Sequence, residues 1–157
     1  RNGDLLTLNF PADVPERISP TFRDELTAAL GTEPEDVYAG KTDRMVVLEN
    51  EAAVAALQPD FRALAQIKVR GVIVTAPGNS VDFVSRFFGP QSGIDEDPVT
   101  GSAHTTLTPY WAHRLGKLQL IARQISPRGG DLWLELLGDR VLISGKAVVY
   151  LKGEIFI

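Results

Sequence analysis

"AHTTLTPYWAHRLG", Ala103–Gly116, decides the architecture. Ala103, Leu107, Trp111 and Leu115 recur at i, i+4 spacing and share one helical face. Gly116 stands where a helix C-terminus favours glycine. Pro109 falls inside the helix, where it should bend it or remove one hydrogen bond. The Tyr110–Trp111 pair makes this helix, from about Ser102 to Leu115, bulky enough to anchor a core. Four strand-like runs follow it directly: "LQLIARQIS", "DLWLELL", "RVLIS" and "KAVVYLKG". The turns between them ("PRGG", "GD" and "G") are short, which favours hairpins.

Upstream the pattern is mixed. "DLLTLNFPA" (Asp4–Ala12) alternates like a strand stopped by Pro11. "SPTFRDELTAALG" is a punctuated helix, with Ser19 as N-cap, Pro20 in the first turn and Gly31 past the end. Its inward stripe is Phe22, Leu26, Ala29 and Leu30. "EDVYAG" and "RMVVLEN" read as strands. Asn50 caps "EAAVAAL", and Pro59 opens a short helical piece, "DFRALAQI". "RGVIVTAP" and "VDFVSRFF" are strands around "GNS". About nine strands and three helical regions without regular βα alternation predict an α+β domain, a mixed curved sheet wrapped around the Ser102–Leu115 helix.

The chain has 157 residues, suiting one domain, with 44% hydrophobic and 23% charged residues. Its net charge of −4 and lack of a Lys/Arg cluster argue against nucleic-acid or anionic-membrane partners. No apolar run approaches the ~18 residues of a membrane span, and no signal-peptide pattern opens the chain. Without cysteine, this chain cannot supply a disulfide, a thiolate nucleophile or a Cys-based metal site, a composition that suits the cytoplasm. The chain opens on Arg1 and runs straight into a strand, which leads us to expect that the front of a longer protein precedes it.

The chemistry concentrates in "GIDEDPVTGSAH", Gly93–His104. Pro98 stiffens the chain and biases Asp97 to an extended conformation. Thr100 and Gly101 turn the backbone into the helix. The amides of Gly101, Ser102 and Ala103 lack intrahelical partners, and the helix dipole makes that end an anion site. Ser102 can add a hydroxyl donor, and Asp97 can take or give a proton beside a bound carboxylate. Asp97 and Thr100 can equally be plain helix caps. Asp95 and Glu96 read as solvated charges.

A hydrolase triad does not fit, because Ser102 and His104 point to different helical faces. His104 and His113 lie nine residues apart, on opposite faces, so a shared metal is disfavoured. His113 reads as a surface or capping residue. Arg128 in "QISPRGG" could meet a substrate carboxylate or sit solvated in a hairpin turn. Arg86 reads as half of a structural ion pair.

The run "DFVSRFFGPQSGIDEDPVTGSAHTTLTPYWAHRLGK", with "ARQISPRGG" and "GDRVLISGKAVVYLKGEI", resembles the C-terminal half of the phenazine-biosynthesis PhzF-like proteins. The likeness spans nearly the whole chain and is most specific over Asp82–Lys117. It implies a diaminopimelate-epimerase-like fold: two similar α/β domains, each a curved sheet around a central helix, with the active site between them. Residues 1–157 would be the C-terminal domain, and its first partner the absent N-terminal domain.

The resemblance further implies an isomerase that moves a proton between carbons of a dihydro-hydroxyanthranilate-like or amino-acid-derived acid, with neither metal nor organic cofactor. Asp97 and Ser102 match the family's catalytic positions, and Thr100, Gly101, Ser102 and Ala103 would bind the small carboxylate substrate. The principal acid/base glutamate would come from the N-terminal domain, so neither Glu49 nor Glu51 is assigned to it. A homodimer is a further expectation. The alternative is a non-catalytic metabolite-binding or interaction protein on the same scaffold.

Overall fold

A computed structural model describes residues 4–18 and 20–155. One ten-stranded mixed sheet runs through it. In chain order the elements are β1 (Leu5–Pro11), β2 (Glu16–Arg17), α1 (Pro20–Leu30), β3 (Asp36–Ala39), β4 (Asp43–Val47), α2 (Glu51–Ala56) and α3 (Phe61–Leu64). Then come β5 (Gly71–Pro77), β6 (Phe83–Gly89), a 3-10 turn (Pro90–Ser92), β7 (Ile94–Glu96), α4 (Gly101–Leu115), β8 (Gln119–Gln124), β9 (Gly130–Leu137) and β10 (Arg140–Lys146).

The strand order is β1-β10-β9-β8-β6-β5-β4-β3-β2, with β7 paired to β6. Two neighbours are parallel, β4 with β5 and β6 with β8. Parallel strands need a crossover, and helices supply both: α2 and α3 for the first, α4 for the second. These crossovers place helices on both faces. Along β5, Val72, Val74 and Ala76 join the core under α1, α2 and α3, whereas Ile73 joins the core under α4. The period-2 side-chain alternation of a strand thus divides one sequence between two cores.

The α4 core holds Ala103, Leu107, Trp111 and Ala112 against Met45, Ile73, Phe83, Leu120, Leu134 and Ile143. Burying a leucine such as Leu107 (0% exposed) is worth about 1.5–3 kcal/mol. Trp111 stacks on Phe83 at 5.4 Å, and its Nε1 donates to Thr75 Oγ1 at 3.0 Å, so its one polar atom is satisfied. Leu115, assigned to the same stripe, is exposed. Gly116 closes the helix at φ 66°, as its position predicts.

Pro109 leaves the helix continuous. Having no N–H, it frees the carbonyl of Thr105, four residues earlier. The amide of Asp13 takes that carbonyl at 3.0 Å. The Asp13 carboxylate accepts from Thr106 Oγ1 and from the Lys41 amide. The proline vacancy therefore moors the loop after β1 to α4.

The α1 stripe buries Leu26, Ala29 and Leu30, and Asn50 Oδ1 caps α2 through the Ala53 amide at 2.9 Å. The Ser19 cap lies outside the described residues. The short helix at Phe61–Leu64 is capped by Asp60. β2 and β7 are too short to show a period in sequence. One expected strand is absent. In "KAVVYLKG", Lys146 ends β10 and the rest has no regular structure; Val148, Val149, Tyr150 and Leu151 are exposed. The open edge of β10 is already occupied by β1, from Leu5↔Lys146 to Pro11↔Arg140. Alternation alone provides no neighbour to pair with.

Candidate active site

The Asp97–Ala103 turn is clamped from below before any ligand is considered. β7 pairs with β6, and the Asp97 amide donates to Phe87 O at 3.0 Å. Glu96 is not a solvated charge. It holds Arg86 through both oxygens, at 2.7 and 2.8 Å, with side chains only 13% and 11% exposed. Arg86 also donates to the carbonyls of Val54 and Leu57 and stacks on Phe88. Its sequence reading as a structural ion-pair residue agrees with this. Local polarity suggested solvation for Glu96, but the pairing of β7 with β6 brings it to Arg86 ten residues away.

Gln124, fully buried, staples the turn. Its Oε1 accepts from the Thr100 amide at 2.8 Å, and its Nε2 donates to Asp97 O at 2.7 Å. Two residues on, Ser126 Oγ donates to Pro98 O at 2.7 Å. Sequence reasoning missed Gln124; its period-2 place on an alternating strand marks it as inward-facing, and a buried amide must find partners.

Thr100 occupies the N-cap position of α4 but does not cap it with its side chain. Its hydroxyl donates instead to the carboxylate of Asp97. Among the described residues, no side-chain cap covers the first-turn amides. Those of Gly101, Ser102 and Ala103 keep the unmet hydrogen-bonding capacity of a helix start, together with its positive dipole end. Simple capping by Asp97 or Thr100 is therefore not what this turn does. Thr100 is itself buried, its amide and hydroxyl both engaged internally. Ala103 is buried and offers its backbone alone, whereas Ser102 is exposed and Gly101 and Asp97 are half-buried.

Two clefts meet at this helix start. One, about 910 Å³, is lined by Val99, Gly101, Arg128 and Gly129 and by the apolar β1 residues Leu6 and Leu8. The other, about 400 Å³, has Phe10, Asp13, Lys41, Arg70 and Ser102 around it. Arg128 is exposed in the loop between β8 and β9, at the rim of the larger cleft. A second arginine, unforeseen from sequence, reaches Ser102: Arg70 Nη1 donates to Ser102 Oγ at 3.0 Å. No spacing rule links positions 70 and 102; the sheet topology does.

The histidines separate as their helical phase predicts. His113 is exposed. His104 is fully buried, stacked with Phe83, with Nδ1 2.8 Å from Thr100 O. A carbonyl only accepts, so Nδ1 carries the proton. Burial pulls the His104 pKa down to about 4, against the opposing pull of that hydrogen bond. His104 is a neutral, structural side chain. Among the described residues, no three His, Asp or Glu side chains gather as metal ligands, and no helix is long and apolar enough to cross a membrane.

Comparison with known proteins places this geometry in context. The family model described as "Phenazine biosynthesis-like protein" (PhzC-PhzF) matches residues 2–153. The chain is 56% identical to an uncharacterized isomerase of Pseudomonas aeruginosa, covering 99% of this chain and 59% of that protein. It is 40% identical to an uncharacterized isomerase of Halalkalibacterium halodurans, covering 100% of this chain and 60% of that protein. Among solved structures, a PhzF-family phenazine biosynthesis protein of Enterococcus faecalis superposes with a TM-score of 0.91 at 48% identity, over 100% of this chain and 60% of that one. The chain thus spans about 60% of the length of the relatives it matches.

Proposed function

The chain belongs to the PhzC-PhzF family of phenazine biosynthesis-like proteins, and from that membership we propose that it forms one wall of an isomerase active site, acting on a small carboxylic acid without a cofactor. Relatives in the family are named isomerases. The observation that carries the proposal is the diverted cap. Thr100 gives its hydroxyl to Asp97 rather than to α4, so one bond both leaves the helix amides open and orients the Asp97 carboxylate.

A substrate carboxylate sits at the amides of Gly101, Ser102 and Ala103, with the Ser102 hydroxyl donating to it. The Asp97 carboxylate then lies beside the bound acid, holding its amino or hydroxyl group or relaying a proton. Isomerisation breaks one C–H bond and makes another, so the substrate loses one proton and regains one, with no change in oxidation state. The principal acid/base group comes from the part of such a protein outside these 157 residues. The substrate class is a dihydro-hydroxyanthranilate-like or amino-acid-derived acid, and the setting a cytoplasmic homodimer.

Two measurements test this in the complete protein. Incubation in D₂O with 3-hydroxyanthranilate-like acids should place deuterium on a substrate carbon; binding without exchange would instead support a non-catalytic metabolite-binding protein. Once a turned-over acid is identified, Asp97→Asn and Ser102→Ala should each lower kcat/KM by about 100-fold or more, with unchanged thermal unfolding. Unaltered turnover in both variants would overturn the assignment.

A further inference from the structure

Ser102 is exposed, yet its hydroxyl oxygen is already engaged by Arg70 Nη1 at 3.0 Å. What holds Arg70 is unusually complete for a residue at the mouth of a cleft. Its Nε donates to Asp43 Oδ1 at 2.9 Å and its Nη2 to the other oxygen, a two-pronged pair with a carboxylate whose side chain is 3% exposed. Its backbone amide donates to Thr42 O, and its Nε also approaches Thr42 Oγ1. The Phe87 ring lies beneath the guanidinium at 5.3 Å. That ring fits only because the next residue is Gly71, where a Cβ would stand 2.1 Å from Phe87 Cζ. The planar fork of arginine is thus fixed on one side, and only the Nη1 side faces the start of α4.

The ion pair with Asp43 would be complete without Ser102. Of the three N–H bonds that the Asp43 pair leaves over, one on Nη1 goes to the exposed hydroxyl that the proposed carboxylate site uses. A serine hydroxyl has one hydrogen. When its oxygen accepts from arginine, that hydrogen is left to point away from the guanidinium.

We propose that Arg70 is a positioning residue for this site: fixed by Asp43 and Phe87, it orients the Ser102 hydroxyl as a hydrogen-bond donor toward the substrate carboxylate and adds its positive charge beside the α4 amides. The role assigned to the serine rests on the carboxylate-site reading above; the electrostatic coupling of Arg70 to position 102 does not.

The chain has no cysteine, so Ser102→Cys introduces a thiol whose alkylation by iodoacetamide can be followed by mass spectrometry of the peptide containing position 102. The thiolate is the reacting form, so the pH profile of the rate reports the charge felt at that atom. With Arg70 present, the profile should fall below the ordinary thiol value of about 8.5. Adding Arg70→Gln should move it up by at least about one pH unit, and Arg70→Lys should fall between. Because Arg70→Gln strands a buried carboxylate, the Asp43→Asn/Arg70→Gln pair serves as the folded alternative and should also move the profile up, by less, since the negative charge of Asp43 leaves with the positive one.

A profile that does not respond to Arg70 overturns the proposal. Binding of 3-hydroxyanthranilate to the complete protein separates the two claims. If Arg70→Lys moves the thiol profile while Ser102→Ala leaves that binding unchanged, the coupling stands and the carboxylate-site reading fails. If Ser102→Ala weakens binding while the thiol profile ignores Arg70, the site stands and the role of Arg70 fails.

Discussion

At the residue scale, the two most conspicuous polar side chains of the turn divide the work differently from their appearance in sequence. His104 stands two positions from Ser102, but its buried ring keeps α4 seated rather than meeting a ligand. This has a pH signature. The unfolded imidazole takes up its proton near 6.5, whereas the folded one resists to about 4. Its contribution is therefore fully present above 6.5 and is lost as pH falls from 6.5 toward 4, up to on the order of 3 kcal/mol. Urea midpoints measured from pH 7 to 5 should fall in the parent and flatten in His104→Gln. A slope that survives the substitution would assign it to other groups. Asp97 and Ser102 could be named as candidates from the proline, the glycine and the helix start, but local sequence left plain capping open and only the family resemblance favoured them. Arg70 could not be named, because it meets the turn only after β5 has taken its place beside β6; for Gln124 the alternation of β8 shows an inward-facing amide but not which turn it will hold.

At the scale of elements, α4 was legible from spacing because its apolar stripe is long and its glycine stop is clear. The consequence of Pro109 was not. Sequence predicts a bend or a lost bond, and the intrahelical bond to Thr105 O is indeed lost; what sequence does not show is that the helix stays continuous and that Asp13 supplies the replacement donor. A proline inside a helix ordinarily costs about 3 kcal/mol. Here Pro109→Ala should change unfolding free energy by no more than about 1 kcal/mol, since the restored amide competes with Asp13 for Thr105 O. A gain near 3 kcal/mol in denaturant titration would mean that the Asp13 bond contributes little. The tail of "KAVVYLKG" shows the reverse limit. Its alternation is sound, but a strand is a relation between two segments, and β1 holds the position beside β10.

For the whole molecule, sequence reading reached the mixed curved sheet and its central helix, but not the second helical layer. α1, α2 and α3 cover the back of β4, β5 and β6, while β8 alternates buried and exposed residues and keeps one face open. Stability should be graded accordingly. β5 and β6 are buried almost throughout, whereas six of the seven β1 residues are exposed. Amide hydrogen exchange on the 157-residue chain should show β1 exchanging at least about 100-fold faster than β5 and β6. Equal protection would mean that the sheet opens as one unit.

The pairing of β1 with β10 also sets a timetable. Thr7 and Ser144, bonded across those strands, are 137 residues apart. At about 5–20 residues per second, a ribosome needs on the order of ten seconds to deliver the second after the first. Throughout that interval the row Leu6, Leu8 and Phe10 has no neighbour, while the strands that pair locally can already close. The nascent chain therefore carries β1 unpaired until β10 has been made, and that row is where a ribosome-associated chaperone would find its grip.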